Sequence, residues 1–322
     1  MTSSSPYDSG WIPGSGIPVA PPVGPPRISD NAQVSAEFGD LRGTNTPVTP
    51  SPPSRPGTRP VSRKALAKLE DVMPVRDRRV VEHIAEHRFL STHQIKRFVF
   101  TSHTTDEAAI RTARVVLTRL ERAGLIRSLG RRRVGGVRAG STAKIWQLAP
   151  AGARLLRDDG MNYRTHEPSS RFLAHCLAVA DVHLSALDLL QLPSVESVHV
   201  QTEPSAWRRY VGGAGERLWL QPDLAVIVAT VDYVDRWFIE VDLGTESLPT
   251  LLKKCGRYEA YRSTGAETAE HDAFPLVLFL FSSAHRARRL QEAIDHSRRL
   301  TPQLYRITTP TQLAELLQRG GV

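Results

Sequence analysis

The sequence predicts a mixed α/β (α+β) protein with two folded regions that follow an unstructured tail. Three observations support this class. Apolar residues recur at helical spacing in residues 61–130, and the nearly continuous apolar run Phe274–Phe281 is typical of a strand buried on both faces. Between them, strand-like and helix-like segments follow one another in the order helix, strand, strand, strand, helix, strand, which is written αβββαβ.

Residues 1–60 are predicted to form a disordered, Pro/Ser-rich tail. They contain 13 of the 23 prolines and few apolar residues. Such a segment cannot bury enough apolar surface to offset the conformational entropy that folding removes. A polyproline docking site at Pro21-Pro22 and Pro25-Pro26 is the alternative to a plain flexible leader.

Residues 61–160 show the element order of a winged helix-turn-helix domain. Arg63–Asp71 and Asp77–His87 fit helices, and Ser91 followed by Gln94 fits the capping box that begins another helix. A further helix ends at Gly124, and two strands with a basic, glycine-rich connection come next. Three helices followed by a hairpin is the order in which the last helix enters the major groove and the hairpin lies along phosphates.

The last helix of this domain is predicted to contact DNA. Its apolar stripe contains Ile110, Ala113, Leu117 and Leu120 at spacings of three and four, and basic residues lie on the other side. The alternative is a solvated arginine face, since exposed arginine is common on any helix. The predicted DNA-binding residues are Arg111, Arg114, Thr118 and Arg122 on the helix and Arg131, Arg132 and Arg133 at the hairpin tip.

A second domain is predicted over residues 161–322, and three of its acidic residues lie at the ends of two neighbouring strands. Asp223 precedes the apolar run 224–229, and Glu240 and Asp242 end the run that begins at Trp237. Side chains alternate along a strand, so Glu240 and Asp242 point the same way, and Asp223 meets Glu240 if the strands pair. Buried carboxylates repel one another unless one is protonated or a divalent cation lies between them. The alternative is strand-end carboxylates in water.

This stretch resembles the PD-(D/E)XK nuclease core and, more narrowly, the replication-relaxation family of actinobacterial plasmids and mobile elements. The resemblance spans about Arg76 to Ser283 and implies a winged helix followed by a restriction-endonuclease-like domain of αβββαβ order. Asp242 occupies the position where such nucleases have lysine. Either Lys254 supplies the ammonium group from the next helix, or the site is degenerate. The matching residues are Pro222-Asp223, Glu240-Val241-Asp242-x-Gly244-Thr245, Lys254 and Tyr258.

The resemblance implies a metal-dependent DNA nickase or relaxase. Asp223, Glu240 and Asp242 are the candidate ligands of Mg²⁺ or Mn²⁺, which favour carboxylate and water oxygens. Lys254 is the candidate group that steadies the attacking water or the phosphate. Tyr258 or Tyr261 is a candidate covalent nucleophile, and ordinary packing with a polar tip is the alternative for both tyrosines. The alternative is a non-catalytic winged-helix regulator or replication accessory protein with a degenerate nuclease fold.

Two further polar residues of this region, His175 and Glu203, are candidates for the neighbourhood of the carboxylates. His175 lies in the helical segment 171–191 and is interpreted as a core or boundary histidine. Glu203 follows the strand-like segment 195–202. It is either an extra acid for the metal cluster or an exposed loop carboxylate.

The composition of the chain limits the range of binding partners. The formal net charge of +9 predicts an anionic partner, most simply double-stranded DNA. A second copy of the chain and replication or conjugation proteins are further candidates. The sequence shows neither a membrane-spanning apolar run nor a secretory signal, so we expect a cytoplasmic protein without a membrane partner. With only two cysteines, Cys176 and Cys255, we expect neither a disulfide framework nor a zinc site.

Overall fold

The structure, a computed structural model, describes residues 61–130, 144–156, 165 and 167–320 of the 322-residue chain. These residues form mixed helix and strand structure, as the sequence predicts. The predicted disordered tail, residues 1–60, lies outside the described residues. The same holds for Arg131, Arg132 and Arg133 of the predicted hairpin tip.

The N-terminal part of the described chain contains five helices around one apolar core. They are α1 (Arg63–Asp71), α2 (Val75–His87), α3 (Thr92–Val99), α4 (Asp106–Arg122) and α5 (Pro150–Leu156). The capping box predicted at the start of α3 is confirmed. Ser91 Oγ accepts a hydrogen bond from the backbone N of Gln94 at 3.2 Å, and Gln94 Oε1 accepts one from the backbone N of Ser91 at 2.9 Å.

A three-stranded antiparallel sheet completes this part, where the sequence predicted two strands. The strands are β1 (Leu90–Ser91), β2 (Ile126–Leu129) and β3 (Ile145–Leu148), in the order β1-β3-β2. The two-residue strand β1 is too short to show a periodicity in the sequence. Leu90 pairs with Trp146, whose Nε1 donates a hydrogen bond to Thr92 Oγ1 at 2.9 Å. This bond satisfies the buried indole N–H of a core residue.

Gly152 of α5 lies against the backbone of Leu125, the residue that precedes β2. A Cβ atom built on Gly152 would lie 2.0 Å from the carbonyl O of Leu125, which accepts a hydrogen bond from the backbone N of Ala149. Gly152→Ala is expected to lower the free energy of unfolding by about 1–3 kcal/mol, because a backbone atom has to move. Urea denaturation of the whole chain measures the change.

Gly256→Ala is the matched control for this substitution. A Cβ on Gly256, in helix α7 (Leu248–Arg262), has nothing within 4 Å. Alanine has the higher helix propensity, so this variant is expected to gain up to about 1 kcal/mol. Equal free-energy changes in the two variants would show that the contact with Leu125 does not matter.

The second part of the described chain is built on a five-stranded mixed sheet. The strands lie in the order β10-β9-β8-β7-β4, in which β8, β9 and β10 are parallel to one another and β7 is antiparallel to both of its neighbours, β8 and β4. The sheet strands are β4 (Val195–Thr202), β7 (Leu224–Thr230), β8 (Val234–Asp242), β9 (Leu276–Phe281) and β10 (Tyr305–Thr308). A separate hairpin contains β5 (Arg208–Val211) and β6 (Arg217–Leu220).

Helices cover this sheet and follow the strands in the expected sequence order. Along the chain, α6 (Ser170–Asp188), β4, β7, β8, α7 and β9 reproduce the predicted order of helix, three strands, helix and strand. The hairpin β5–β6 and the short helix α8 (Ala266–His271) are inserted between these elements. The helices are α6, α7, α8, α9 (Ala284–Asp295) and α10 (Leu313–Arg319).

The two faces of the sheet pack against different helices. Phe238 and Phe279 belong to one core cluster with Leu251 of α7, whereas Trp237 and Ile239 belong to another with residues of α6 and α10. Because neighbouring residues of a strand point to opposite faces, the side chains of Phe238, Glu240 and Asp242 share the α7 side. Strand β9 contributes to both clusters, as its continuous apolar run predicts.

Helix α6 packs against both parts of the described chain. By length and composition, the helical stretch Ser170–Gln191 is apolar enough to cross a membrane. In the structure, Ala180 and Leu184 belong to the core of the N-terminal part, whereas Val182 and Ala186 belong to the core under the sheet. The apolar residues of α6 therefore pack into two separate cores, one on each side of the helix.

Candidate active site and nucleic-acid interface

Asp223 and Glu240 lie side by side, as the strand register requires. Leu224 pairs with Ile239 in the antiparallel ladder of β7 and β8, so the preceding residue, Asp223, lies opposite Glu240. Asp223 Oδ2 accepts a hydrogen bond from the backbone N of Val241 at 2.7 Å. Asp223 is only 8% exposed and Glu240 only 4%. The structure therefore brings two of the three predicted carboxylates together in a buried position.

Helix α7 supplies two donors to Glu240. Lys254 Nζ donates to Glu240 Oε2 at 2.9 Å, and the Tyr258 hydroxyl donates to Glu240 Oε1 at 2.7 Å. Lys254 and Tyr258 are four residues apart, so they share one face of the helix. Lys254 Nζ also lies 2.9 Å from Glu246 Oε1. Its ammonium group is thus placed between two carboxylates.

The local sequence explains how α7 comes to lie over the strand ends. Gly244 has φ +93°, a left-handed conformation that glycine adopts without strain, and it turns the chain directly after β8. Ser247 caps the helix by accepting a hydrogen bond from the backbone N of Thr250 at 3.3 Å. Pro249 in the first turn has the fixed φ that suits a helix start.

Burial changes the proton affinities of the Glu240 group. Burial raises the pKa of Glu240 to about 7, against the opposing charge of Lys254 and with the support of the Asp223 charge. Burial lowers the pKa of Lys254, but the charges of Glu240, Asp223 and Glu246 outweigh it and raise that pKa above its ordinary value. Lys254 is therefore a cation at neutral pH.

Tyr258 fits a positioning role better than that of a nucleophile. Burial, followed by the charge of Glu240, raises the pKa of Tyr258 well above its ordinary value. The side chain is only 1% exposed, and its hydroxyl is committed to Glu240. A neutral, buried phenol that donates to a carboxylate fixes the rotamer of that carboxylate.

Asp242 lies on the same side of β8 but has its own partners. Its Oδ1 accepts hydrogen bonds from the backbone N of Gly244 and, at 3.2 Å, of Thr245. Its Oδ2 lies 2.6 Å from Arg286 Nη2, which also donates to the carbonyl O of Glu246 at 2.5 Å. The structure therefore neutralises Asp242 with Arg286 and does not gather it with Asp223 and Glu240.

Three further residues border this site: sequence reasoning gave Glu203 as a possible extra acid, interpreted His175 as a core or boundary histidine, and missed Arg286. His175 Nε2 of α6 lies 3.1 Å from Asp223 Oδ1. Burial lowers the pKa of His175, but the hydrogen bond and the charge of Asp223 outweigh it and raise that pKa. Glu203 is half-buried, forms an ion pair with Arg88 at 3.0 Å and interacts electrostatically with Asp223. Arg286 is the third of these residues. The sequence showed only that it belongs to an arginine-rich helix after the apolar run Phe274–Phe281.

The carboxylate oxygens of Asp223 and Glu240 are suited to bind a hard divalent cation, whereas those of Asp242 are not. Of the two buried carboxylates, Glu240 contacts the ammonium group of Lys254, which also contacts Glu246, and Asp223 contacts His175. Each carboxylate oxygen keeps a lone pair beyond the hydrogen bonds described above. Mg²⁺ and Mn²⁺ are commonly bound by one or two carboxylates with water in the other positions. Asp242 is already neutralised by Arg286.

The predicted DNA-binding residues of α4 lie on one exposed face. Ala113, Leu117 and Leu120 are buried in the N-terminal core, as their spacing predicts, and Ile110 is half-buried. The opposite face is open to solvent and holds the four residues singled out from the sequence, which are Arg111, Arg114, Thr118 and Arg122.

A comparison with protein families gives one match. The model of a family described as replication-relaxation matches residues 81–277. No curated protein and no solved structure is significantly similar to the chain. The matched range begins within α2 and ends within β9, so it includes α4 and all of the residues around Glu240 described above except Arg286.

Proposed function

The chain belongs to the replication-relaxation family, and on this premise we propose that it binds double-stranded DNA during replication or mobilisation of a plasmid or mobile element and nicks or relaxes that DNA. The observation that supports cleavage most strongly is the buried Glu240, held by Lys254 and Tyr258 beside Asp223. Such a concentration of polar groups with raised pKa values at strand ends is typical of a reaction site.

The N-terminal part supports the DNA-binding half of the proposal. Helices α2, α3 and α4 followed by the antiparallel strands β2 and β3 fit a winged helix-turn-helix domain. In that arrangement α4 is the recognition helix, and its exposed arginines contact phosphates or base edges.

The sheet supports the second half of the proposal. The mixed sheet in which β4, β7, β8 and β9 are neighbours, with helices α6 and α7 on its two faces, fits a restriction-endonuclease-like core. In this proposal Asp223, directly before β7, and Glu240, near the end of β8, are the two acidic residues of that core. Lys254, from the following helix, supplies the ammonium group that Asp242 cannot.

The chemistry follows from the residues around Glu240. Asp223 and Glu240 would hold Mg²⁺ or Mn²⁺, which when bound polarises the phosphate and lowers the pKa of a bound water. Lys254 remains charged and is placed to stabilise the negative charge that builds on the phosphate. His175 orients the carboxylate of Asp223, and Tyr258 fixes that of Glu240.

One observation favours a second candidate function. Asp242 and Arg286 form an ion pair where nucleases of this type have a free lysine, and Lys254 is shared by two carboxylates. These pairs satisfy the polar groups without any substrate. The second candidate is therefore a non-catalytic DNA-binding regulator or replication accessory protein that uses the sheet as a scaffold.

Supercoiled DNA that carries the origin of the protein's own element separates the two candidates. We expect nicked or relaxed DNA when the full chain is incubated with this substrate and Mg²⁺ or Mn²⁺. DNA that remains supercoiled with both metals, while still bound by the protein, would contradict cleavage and favour the scaffold.

Arg114→Ala is expected to weaken duplex binding and reduce its salt dependence. Each phosphate contact releases counter-ions, so losing one contact should reduce the slope of log affinity against log salt concentration by about 1. Fluorescence anisotropy with a labelled duplex at several KCl concentrations measures this slope. Arg319→Ala, which removes an exposed arginine of α10, is the control with the same change in charge. An equal change in both variants would show that α4 is not the contact surface.

A further inference from the structure

A second polar cluster lies between helices α2 and α6. Helix α2 contributes His83, Glu86 and His87, and α6 contributes His183. In the part of the chain that the structure describes, Glu86, His87 and His183 are the one group of three His, Cys, Asp or Glu residues whose ligand atoms all lie within 4.8 Å of one another. None of them belongs to the set around Asp223 and Glu240.

Short contacts hold this cluster together. His87 Nε2 lies 3.0 Å from His183 Nδ1, and His83 Nδ1 lies 3.3 Å from Glu86 Oε2. His87 is 4% exposed and His183 is 5% exposed. The side chains of Glu86 and His83 are 31% and 25% exposed, so the cluster is reached from solvent on their side.

We propose that Glu86, His87 and His183 bind a divalent transition-metal ion of the zinc class, with His83 beside them as the candidate fourth ligand. Imidazole and carboxylate groups are the nitrogen and oxygen ligands of such ions. Two nitrogens at about 2.0–2.1 Å from one tetrahedral ion lie roughly 3.4 Å apart, close to the separation of His87 Nε2 and His183 Nδ1. The ion would fasten α2 to α6.

The protonation states suit metal binding. Burial lowers the pKa of His87 to about 4 and that of His183 to about 3, so both imidazoles are neutral at pH 7. Burial raises the pKa of Glu86, but the hydrogen bond from His83 opposes it and the pKa is lowered overall. Metal ions bind neutral imidazole and ionised carboxylate, so the ion displaces few protons here.

The ion replaces one hydrogen bond within the cluster. Without metal, the neutral pair of His87 and His183 shares one N–H···N hydrogen bond. When both nitrogens coordinate the ion, the proton between them moves to the other nitrogen of its own ring, and the net proton count is unchanged. Glu86 supplies one negative charge against the two positive charges of the ion.

The ring of Phe98 packs against the three imidazole rings of the cluster. The ring of Phe98 lies 4.6 Å from that of His83, 5.2 Å from that of His87 and 5.1 Å from that of His183, measured between ring centroids. Such packing fixes the imidazole orientations before the ion arrives. The proposed ligands lie at positions 86, 87 and 183. Because the third is far from the other two, they form no short motif that sequence analysis could detect.

Cobalt binding to the metal-stripped, tag-free full chain tests the proposal. Co²⁺ is the spectroscopic substitute for Zn²⁺. We expect one equivalent of Co²⁺ to bind with the visible absorption bands of tetrahedral coordination, Zn²⁺ to displace it, and Zn²⁺ to raise the thermal midpoint. His183→Gln should weaken Co²⁺ binding by at least about 100-fold. His199→Gln, which replaces an exposed histidine of β4, should leave it unchanged.

The outcomes separate this site from the one at the strand ends. Asp223→Asn with Glu240→Gln should leave Co²⁺ binding as in the wild type, whatever that variant does to DNA cleavage. The proposal is overturned if the wild type binds no stoichiometric Co²⁺, if His183→Gln binds it as tightly as the wild type, or if the strand-end variant abolishes binding. Should circular dichroism show His183→Gln unfolded, Glu86→Gln at the half-exposed carboxylate takes its place with the same expectations.

Discussion

Lys254→Met is expected to reduce metal-dependent DNA nicking by about 10²–10³-fold while DNA affinity stays within about twofold of the wild type. The ammonium group lies 2.9 Å from Glu240 Oε2 and is charged at neutral pH, so it contacts the carboxylate that we propose as a metal ligand. Removing one preorganised group that stabilises charge in the transition state typically costs this much in rate. Nicking of supercoiled DNA with protein in excess measures the rate, and anisotropy measures the affinity.

Lys253→Met is the matched control, since Lys253 precedes Lys254 on the same helix and its side chain is exposed. We expect it to nick DNA as fast as the wild type. Lys254→Arg, which keeps the charge but changes its shape, should retain an intermediate rate. If Lys254→Met nicks as fast as Lys253→Met, Lys254 has no part in the reaction.

Arg286→Met is expected to lower the free energy of unfolding by about 3 kcal/mol. The substitution leaves Asp242, which is 5% exposed, without its charged partner at 2.6 Å. Removing one partner of a buried ion pair costs about 3–5 kcal/mol, and the partial exposure of Arg286 places the expectation at the lower end. The variant also loses the hydrogen bond to the carbonyl O of Glu246. Urea denaturation measures the change.

Arg288→Met, two residues further along α9 at an exposed position, should change stability by less than about 0.5 kcal/mol. Adding Asp242→Asn to Arg286→Met should recover part of the loss, because the buried negative charge is then removed. A loss that is equally small in Arg286→Met and Arg288→Met would argue that Asp242 does not depend on Arg286 and is free for another role.

Local patterns predicted the elements that position the site. The apolar stripe of α4, the capping box at Ser91 and the continuous apolar run of β9 each depend on residues close together in the sequence, and each is present in the structure. The alternation along β8 likewise predicted that Glu240 and Asp242 share a side. Strand β8 begins at Val234, three residues before the predicted start, because its first residues pair with β7 beyond the apolar core.

Contacts between distant segments were not predictable from one sequence. Arg286 reaches Asp242 across 44 positions, His175 reaches Asp223 across 48, and His183 reaches His87 across 96. None of these pairs leaves a spacing that a periodicity or a motif detects. The first of them changes the interpretation of Asp242 from a metal ligand to the partner of an arginine.

Calorimetric titration of Mn²⁺ tests the central claim most directly, because the claim requires Asp223 and Glu240 to form a cation site. The wild type is compared with the double variant Asp223→Asn, Glu240→Gln, and with Asp242→Asn as the matched control, each with and without duplex DNA. The account predicts saturable binding in the wild type and in Asp242→Asn, and its loss in the double variant. Equal Mn²⁺ binding in the wild type and the double variant, or no binding in the wild type even with DNA, would contradict it and leave a DNA-binding protein whose sheet is a scaffold.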